Sequence, residues 1–351
     1  MIILKLTLTF LLSLVFIKLI IKNALSLGLT DVPNERSSHT IIKPRGAGIG
    51  FGLAFFISIL LFDTSLFFEN WLVFLAIFLV FCIGILDDHK DASPKMKFYI
   101  IFISSILLYF NDIYVENLGS YFGYIIPLGL LALPFTMLFI AGITNALNLI
   151  DGLDGLSGSI SIVILSTFLY IGYINEDDMM CTISLFTIIT LLPFLYLNWN
   201  PAKIFMGDSG SLFLGFIIAT LSILSLEYVH PVAVVYIIAI PILDTLIVMV
   251  RRIKKGKSPF SPDKTHIHHI LLSFFAKKVK KTVLFIVLMQ ALFSLVGLML
   301  ALSYKELGES IASSLSLLGF IGILILFYMI FTGMKERQKL LEKLVKRQKR
   351  D

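Results

Sequence analysis

Five polar segments interrupt an otherwise apolar chain, and each carries side chains suited to ionic or phosphate chemistry. In GILDDHKDASPKMKF, Asp87 and Asp88 close an apolar run. Adjacent carboxylates at a membrane surface are costly unless they meet a cation or a proton. A divalent metal or a proton transfer is therefore the chemistry the pair suggests. Lys95 and Lys97 follow within reach of a phosphate. Taken alone, this segment also reads as a helix cap with flanking lysines.

In NALNLIDGLDGLSG, Asn145, Asn148, Asp151 and Asp154 recur every three residues. Residues at i and i+3 are neighbours on a helix, but each such step drifts by about 60°. Adjacent members can share a ligand, whereas the first and last face apart on a straight helix. Gly152 and Gly155 mark an end or bend that lets backbone approach a ligand. Four oxygen-bearing side chains suit a hard cation and a nucleotide. NWNPAKIFMGDSGS sets Asp208 just before a helix expected from Ser209. A helix N-terminus offers free N–H groups to a phosphate, and Asp208 can hold a metal bridging it.

RRIKKGKSPFSPDKTHIHHIL holds His266, His268 and His269, half of the six histidines, near Arg251, Arg252 and many lysines. Zinc would want carboxylate or thiolate partners; histidines among cations fit better as donors to phosphate oxygens. Lys257, Ser258, Phe260 and Ser261 in this loop are candidate sugar contacts. DVPNERSSHTIIKPRGAGIG supplies Asp31, Asn34, Arg36, His39, Lys43 and Arg45. Asp244, in PILDTLIVMVRR, lies within an apolar run, which points either to function or to pairing with Arg251.

The elements that carry these segments must be membrane helices. The chain is 58% hydrophobic and 15% charged, with a mean hydropathy of +0.94, far from a soluble domain. Runs long enough to span a bilayer number eleven: 1–21, 47–66, 70–86, 98–115, 123–144, 158–174, 181–197, 209–227, 231–250, 282–302 and 311–333. Segment 111–124 is polar and Gly-rich enough to hold a short hairpin. The expected fold is an all-α polytopic membrane protein, with one catalytic domain over 1–333 and a basic tail, 334–351, extending the last helix. Loops on one side carry 26 of the 29 basic residues. By the positive-inside rule that side is cytoplasmic, with the N-terminus outside. All five polar segments fall on it. The +6 net charge is thus topological and no sign of nucleic-acid binding. A transporter would instead put its site near the bilayer midplane.

Together the five segments, in this order and sidedness from about residue 31 to 271, resemble the polyprenyl-phosphate N-acetylhexosamine-1-phosphate transferases. DVPNERSSH, THIHH and the eleven spans point to the GlcNAc-1-phosphate branch. The resemblance implies a UDP-N-acetyl sugar donor, undecaprenyl phosphate as acceptor, Mg²⁺ (or Mn²⁺) as cofactor, and UMP as by-product. It implies a multi-pass protein of the bacterial inner membrane that starts a lipid-linked envelope glycan such as O-antigen or teichoic acid. A second copy of the chain is a further candidate partner. It makes Asp208 the main metal ligand and Asn148 a second. Asp151 and Asp154 line the nucleotide and metal site, and Asn198 and Phe205 contact uridine. Asp87 and Asp88 serve as base or metal support, and the three histidines hold the diphosphate or sugar. Asn145, Lys43, Arg45, Lys97 and Arg251 are candidate substrate contacts. A lipid phosphate has a second pKa near about 6, so it is largely dianionic already, and a direct displacement needs no strong base.

Overall fold

The computed structural model describes residues 2–31, 42–258, 266–307 and 309–348. Asn34, Arg36, His39, Phe260 and Ser261 lie outside them. The chain is a bundle of fourteen helices among the described residues, with two two-stranded ribbons. Helix α1 (Ile2–Asn23) leads through β1 (Thr30–Asp31) and β2 (Lys43–Pro44) to α2 (Ala47–Phe62), α3 (Thr64–Glu69), α4 (Trp71–Lys90) and α5 (Pro94–Tyr109). A hairpin of β3 (Asn117–Tyr121) and β4 (Tyr124–Pro127) precedes α6 (Ala132–Ile150), α7 (Leu156–Ile174), α8 (Asp178–Asn198) and α9 (Asp208–Leu224). Then come α10 (Pro231–Ile237), α11 (Ala239–Ile253), α12 (Ile267–Phe274), α13 (Val279–Leu307) and α14 (Glu309–Gln348).

Among the described residues, eight helical segments are long and apolar enough to cross a membrane, nine if α10 and α11 form one bent span. The expected spans at 47–66 and 98–115 appear as the 16-residue helices α2 and α5. The expected 231–250 span is broken at Ile238 by an 86° bend. The segment 111–124 does fold back: α5 ends at Tyr109, Asp112 takes a positive φ, and the hairpin follows. That hairpin docks on the start of α14, where Ser313 Oγ donates to the Ser120 carbonyl at 2.6 Å. The segment 145–150, beyond the expected span 123–144, continues α6, and its Asn148 donates to Ser211 Oγ at 2.8 Å rather than to its own backbone. Helix α14 runs unbroken through the basic tail to Gln348.

Helix α9 is the hub. Every residue from Ser209 to Ile223 is buried, with α2, α4, α6, α7 and α8 packed around it. Lipid tails are as apolar as leucine, so helices in a bilayer associate through close packing and small residues rather than water exclusion. Three glycines make that approach possible. A Cβ on Gly48 (α2) would fall 2.0 Å from the Gly210 nitrogen, one on Gly84 (α4) 2.6 Å from Ser209 Cα, and one on Gly215 2.7 Å from Thr144 Cα of α6. Deeper in the bundle, the Phe213 ring meets Phe51, Phe55, Phe56 and Phe81 at 5.3–6.1 Å. At the periphery, α13 and α14 expose Leu288, Leu292, Leu315 and Leu318, as lipid-facing helices do.

The glycine contacts give a direct expectation. Gly84→Ala forces α4 off the α9 backbone and is expected to destabilise the detergent-solubilised protein by about 1–3 kcal/mol. Gly142→Ala, where a Cβ meets nothing within 4 Å, is expected to leave the unfolding temperature unchanged or slightly raised. Thermal unfolding of the two variants checks the contrast.

Candidate active site

The five polar segments meet at one end of the bundle, and the first turn of α9 organises them. Its leading N–H groups lack intrahelical acceptors. Asp88, at the end of α4, supplies them: Oδ1 accepts from Asp208 N at 2.8 Å and Oδ2 from Ser209 N at 3.0 Å. Asp88 is 2% exposed. Gly207 has a φ of 77°, and a Cβ there would strike the Asp88 carboxylate at 2.5 Å. Arg45 closes the same corner, donating from Nη2 to the Asp88 carbonyl at 2.6 Å.

The neighbouring Asp87 behaves differently. Its Oδ2 lies 2.8 Å from Lys97 Nζ, and the same ammonium lies 2.5 Å from Asp208 Oδ2. The Asp87 and Asp208 carboxyls are within hydrogen-bonding reach of each other, and Asn148 reaches Asp208 as well. Lys97 thus marks where two carboxylates concentrate negative potential.

The Asp151–Asp154 segment and the 198–207 loop form the next wall. Asp151 accepts from Ser157 Oγ at 2.5 Å. Burial pushes its carboxyl up to about 7; the Ser157 hydroxyl opposes that shift, and the Asp208, Asp88 and Asp154 carboxylates add to it. Asp154 Oδ2 accepts from Asn200 Nδ2 at 2.8 Å and Ala202 N at 3.0 Å. Asn198 joins both pieces: Oδ1 accepts from Gly155 N at 2.7 Å and Nδ2 donates to the Ile204 carbonyl at 2.8 Å. Phe205 is pinned by its own N–H to the Pro44 carbonyl at 2.9 Å. Lys43 Nζ sits 5.1 Å from the Phe205 ring centroid, a cation–π contact.

The histidine segment hangs from α11. Asp244, read from the sequence as either functional or paired with Arg251, lies 2.8 Å from His266 Nδ1 and accepts from Ile267 N at 2.6 Å, not from Arg251. It caps the start of α12, which explains a carboxylate so deep in an apolar run. His268 is buried, and neither ring nitrogen has a hydrogen-bond partner among the described residues. Burial holds its imidazole down at about 3, His269 adding and Asp244 opposing, so the ring is neutral. Its ring stacks on His266 at 5.8 Å and touches His269 at 4.2 Å. A Cβ on Gly152 would lie 2.4 Å from His268 Nε2.

Two cavities result. A polar one of about 340 Å³ is lined by Asp31, Arg45, Asp88, Asp151, Gly152, Asp154, Asn198, Phe205, Asp208 and His269. A largely apolar one of about 660 Å³ is lined by Phe98, Phe102, Leu138, Val248 and Met249, with Asn145, Asn148, Arg252 and the three histidines at its polar end. Gly152 and His269 border both. Asp87, Lys97 and Lys43 line neither but touch residues at or beside the polar cavity. Arg251 stands apart: it is buried and donates from Nε to Thr332 Oγ1 at 3.0 Å. Arg252 occupies the position expected for Arg251. Lys257 and Ser258 border neither cavity. Sequence reasoning missed the wall formed by Thr245, Val248, Met249 and Arg252. Its i, i+3, i+4, i+7 spacing on α11 is the one signal that could have found it.

The separated roles of the aspartate pair predict separable defects. Asp88→Asn turns one acceptor of the α9 cap into a donor and is expected to cost about 1–3 kcal/mol of stability. Asp87→Asn is expected to leave the unfolding temperature close to wild type. Thermal unfolding in detergent distinguishes them.

Comparison with known proteins follows the same lines. A family model described as glycosyl transferase family 4 matches residues 70–226. A Bacillus subtilis (strain 168) protein, "Probable undecaprenyl-phosphate N-acetylglucosaminyl 1-phosphate transferase", is 38% identical over 304 residues, covering 83% of this chain and 82% of its own. The Escherichia coli (strain K12) "Undecaprenyl-phosphate alpha-N-acetylglucosaminyl 1-phosphate transferase" is 34% identical over 278 residues, covering 75% and 74%. The Yersinia pestis protein of that name is 32% identical over 275 residues, with 75% and 74% covered.

Proposed function

The chain belongs to glycosyl transferase family 4, with the undecaprenyl-phosphate N-acetylglucosaminyl 1-phosphate transferases, and from that premise we propose that it moves an N-acetylhexosamine-1-phosphate from a UDP-sugar onto undecaprenyl phosphate. The relatives' names favour GlcNAc as the sugar. The observation that carries the reading is the shared border of the two cavities. A hydrophilic nucleotide and a lipid phosphate need separate compartments that meet at one point, and Gly152 and His269 lie on both.

In this reading a phosphate oxygen of the lipid attacks the β-phosphorus of the UDP-sugar. The bond to the α-phosphate oxygen breaks, and UMP leaves. Such phosphoryl transfer depends on positioning and charge neutralisation more than on covalent help. Phe205 presents an aromatic face for uracil, and Asp151 and Asp154 border the nucleotide. Arg45, Arg252 and the histidines supply donors to the phosphates. The apolar cavity receives the first isoprene units of the acceptor.

The donor set fits Mg²⁺. Among the described residues no three His, Cys, Asp or Glu side chains gather as a metal cage. Mg²⁺ needs none, since it is usually held by one or two carboxylates plus substrate phosphates and water. Asp208 and Asp87 are hard oxygen donors already drawn round the cationic Lys97, and Asn148 stands beside Asp208. When bound there, Mg²⁺ would neutralise diphosphate charge.

The charge pattern supports a cytoplasmic active site in the bacterial plasma membrane, the reaction being the first step of a lipid-linked envelope glycan. The bend at Ile238 is a feature that transporters also use. None of residues 237–240 lines the polar or the apolar cavity of the site, however, so the break does not favour transport.

The test is UMP release by the purified protein with undecaprenyl phosphate, Mg²⁺ and a panel of UDP-N-acetyl sugars. Release is expected to require the lipid, to stop on EDTA addition and return with excess Mg²⁺, and to fall by about 10²-fold or more in Asp208→Ala. Lipid-independent release, or full activity in Asp208→Ala, would overturn the assignment. Asn198→Ala is expected to raise the KM for the UDP-sugar by about fivefold or more, through loss of the two buried bonds that join the nucleotide walls.

A further inference from the structure

A break in a membrane helix frees backbone groups that no water can satisfy, so something in the protein must take them. At the α10–α11 break that something is a side chain of α13. Gln290 is fully buried in the middle of α13, flanked by the apolar residues 283–289 and 291–293. Its Oε1 accepts from Ile240 N at 3.1 Å, and its Nε2 donates to the Ile237 carbonyl at 2.7 Å. Nε2 also lies 2.8 Å from Ser294 Oγ, which donates to the same carbonyl at 3.0 Å. Gln290, Ser294 and Gly297 fall at i, i+4 and i+7, one face of α13. A Cβ on Gly297 would lie 2.8 Å from the Ala233 carbonyl and 2.9 Å from Ile237 N, so the two backbones touch there. Pro241, in the first turn of α11, has no N–H to give. One primary amide, a donor and an acceptor on a single carbon, thus bridges the two sides of the gap.

The bend it holds has consequences farther down α11. That helix carries Asp244, from which His266 and the start of α12 hang. It also carries Thr245, Val248, Met249 and Arg252, one wall of the apolar cavity. Gln290 touches neither cavity. We propose that Gln290 is a positioning residue: by bridging Ile237 and Ile240 across the break it fixes the direction of α11, and with it the wall that receives the lipid acceptor. The second half rests on the reading that the apolar cavity takes that lipid.

The test uses the full-length protein in detergent. Gln290→Met keeps length and removes both bonds, and Gln290→Glu, neutral when buried, restores one donor and one acceptor. Hydrogen exchange of the segment 238–243 is expected to quicken in Gln290→Met and to return toward wild type in Gln290→Glu. The KM for undecaprenyl phosphate is expected to rise about fivefold or more in Gln290→Met, with the KM for the UDP-sugar unchanged and rescue by Gln290→Glu. A merely structural amide would move both KM values together or neither. Unchanged exchange overturns the proposal, as does a parallel shift of the two KM values, or faster exchange with neither KM moved. Should Gln290→Met fail to fold, Ser294→Ala removes a single donor to Ile237 and is expected to give the same split at smaller size; its absence counts equally against the proposal. Exchange is read without turnover, so an inactive wild-type protein would overturn the transferase reading and leave the role of Gln290 at the break still decided by exchange.

Discussion

Everything at the active end of this protein depends on how the first turn of α9 is held. Its leading N–H groups, which have no acceptor within the helix, are gathered by one buried carboxylate, Asp88. Its backbone is approached so closely that Gly48 and Gly84 have no room for a methyl group. These two constraints act together. The glycines let α2 and α4 close on α9, and that closeness puts Asp88 beneath the helix start. The same geometry leaves Asp87 and Asp208 side by side with Lys97 between them. Two carboxylates this near would repel strongly in a low-dielectric setting; the ammonium makes the arrangement tolerable.

The second organising feature is the division of the site into a polar and an apolar cavity. The carboxylates and the polar cavity are built on α4, α6, α9 and the loops between them, all locked to the buried hub. The apolar cavity depends on α11 and on the histidine segment suspended from Asp244. In the proposed reaction the phosphates need a rigid setting, because the chemistry is positional. An isoprenoid tail needs only an apolar wall of the right direction. The rigid part of the site is therefore made by backbone contact and helix capping, and the lipid-facing part by a bent span whose gap is closed by a side-chain amide.

Much of this was legible in the sequence. Asp87, Asp88, Asn148, Asp151, Asp154, Asn198, Phe205, Asp208, His266, His268 and His269 all stand in or beside the two cavities. Ionisable and amide groups in an apolar chain are rare enough to stand out without a structure. Their individual partners were not legible. Nothing in the sequence distinguishes Asp87 from its neighbour, yet one faces Lys97 and the other caps a helix 120 residues away. Likewise Asp244 is two turns from Arg251 but pairs with His266, because α12 brings an uncapped helix start to it.

The sequence by itself determined that the chain is a polytopic helical membrane protein, that its polar segments lie on one side, and which residue types gather there. Composition, hydropathy and charge are local properties, and a bilayer reads them segment by segment. Only the tertiary structure decided where α5 stops and the hairpin begins, that the 231–250 run is two helices, that Arg252 rather than Arg251 reaches the apolar cavity, and that Gln290 bridges the break. Each of those outcomes turns on which backbone groups find a partner from a distant helix. That accounting closes only when the bundle is assembled, because inside a membrane there is no water to supply the missing bonds.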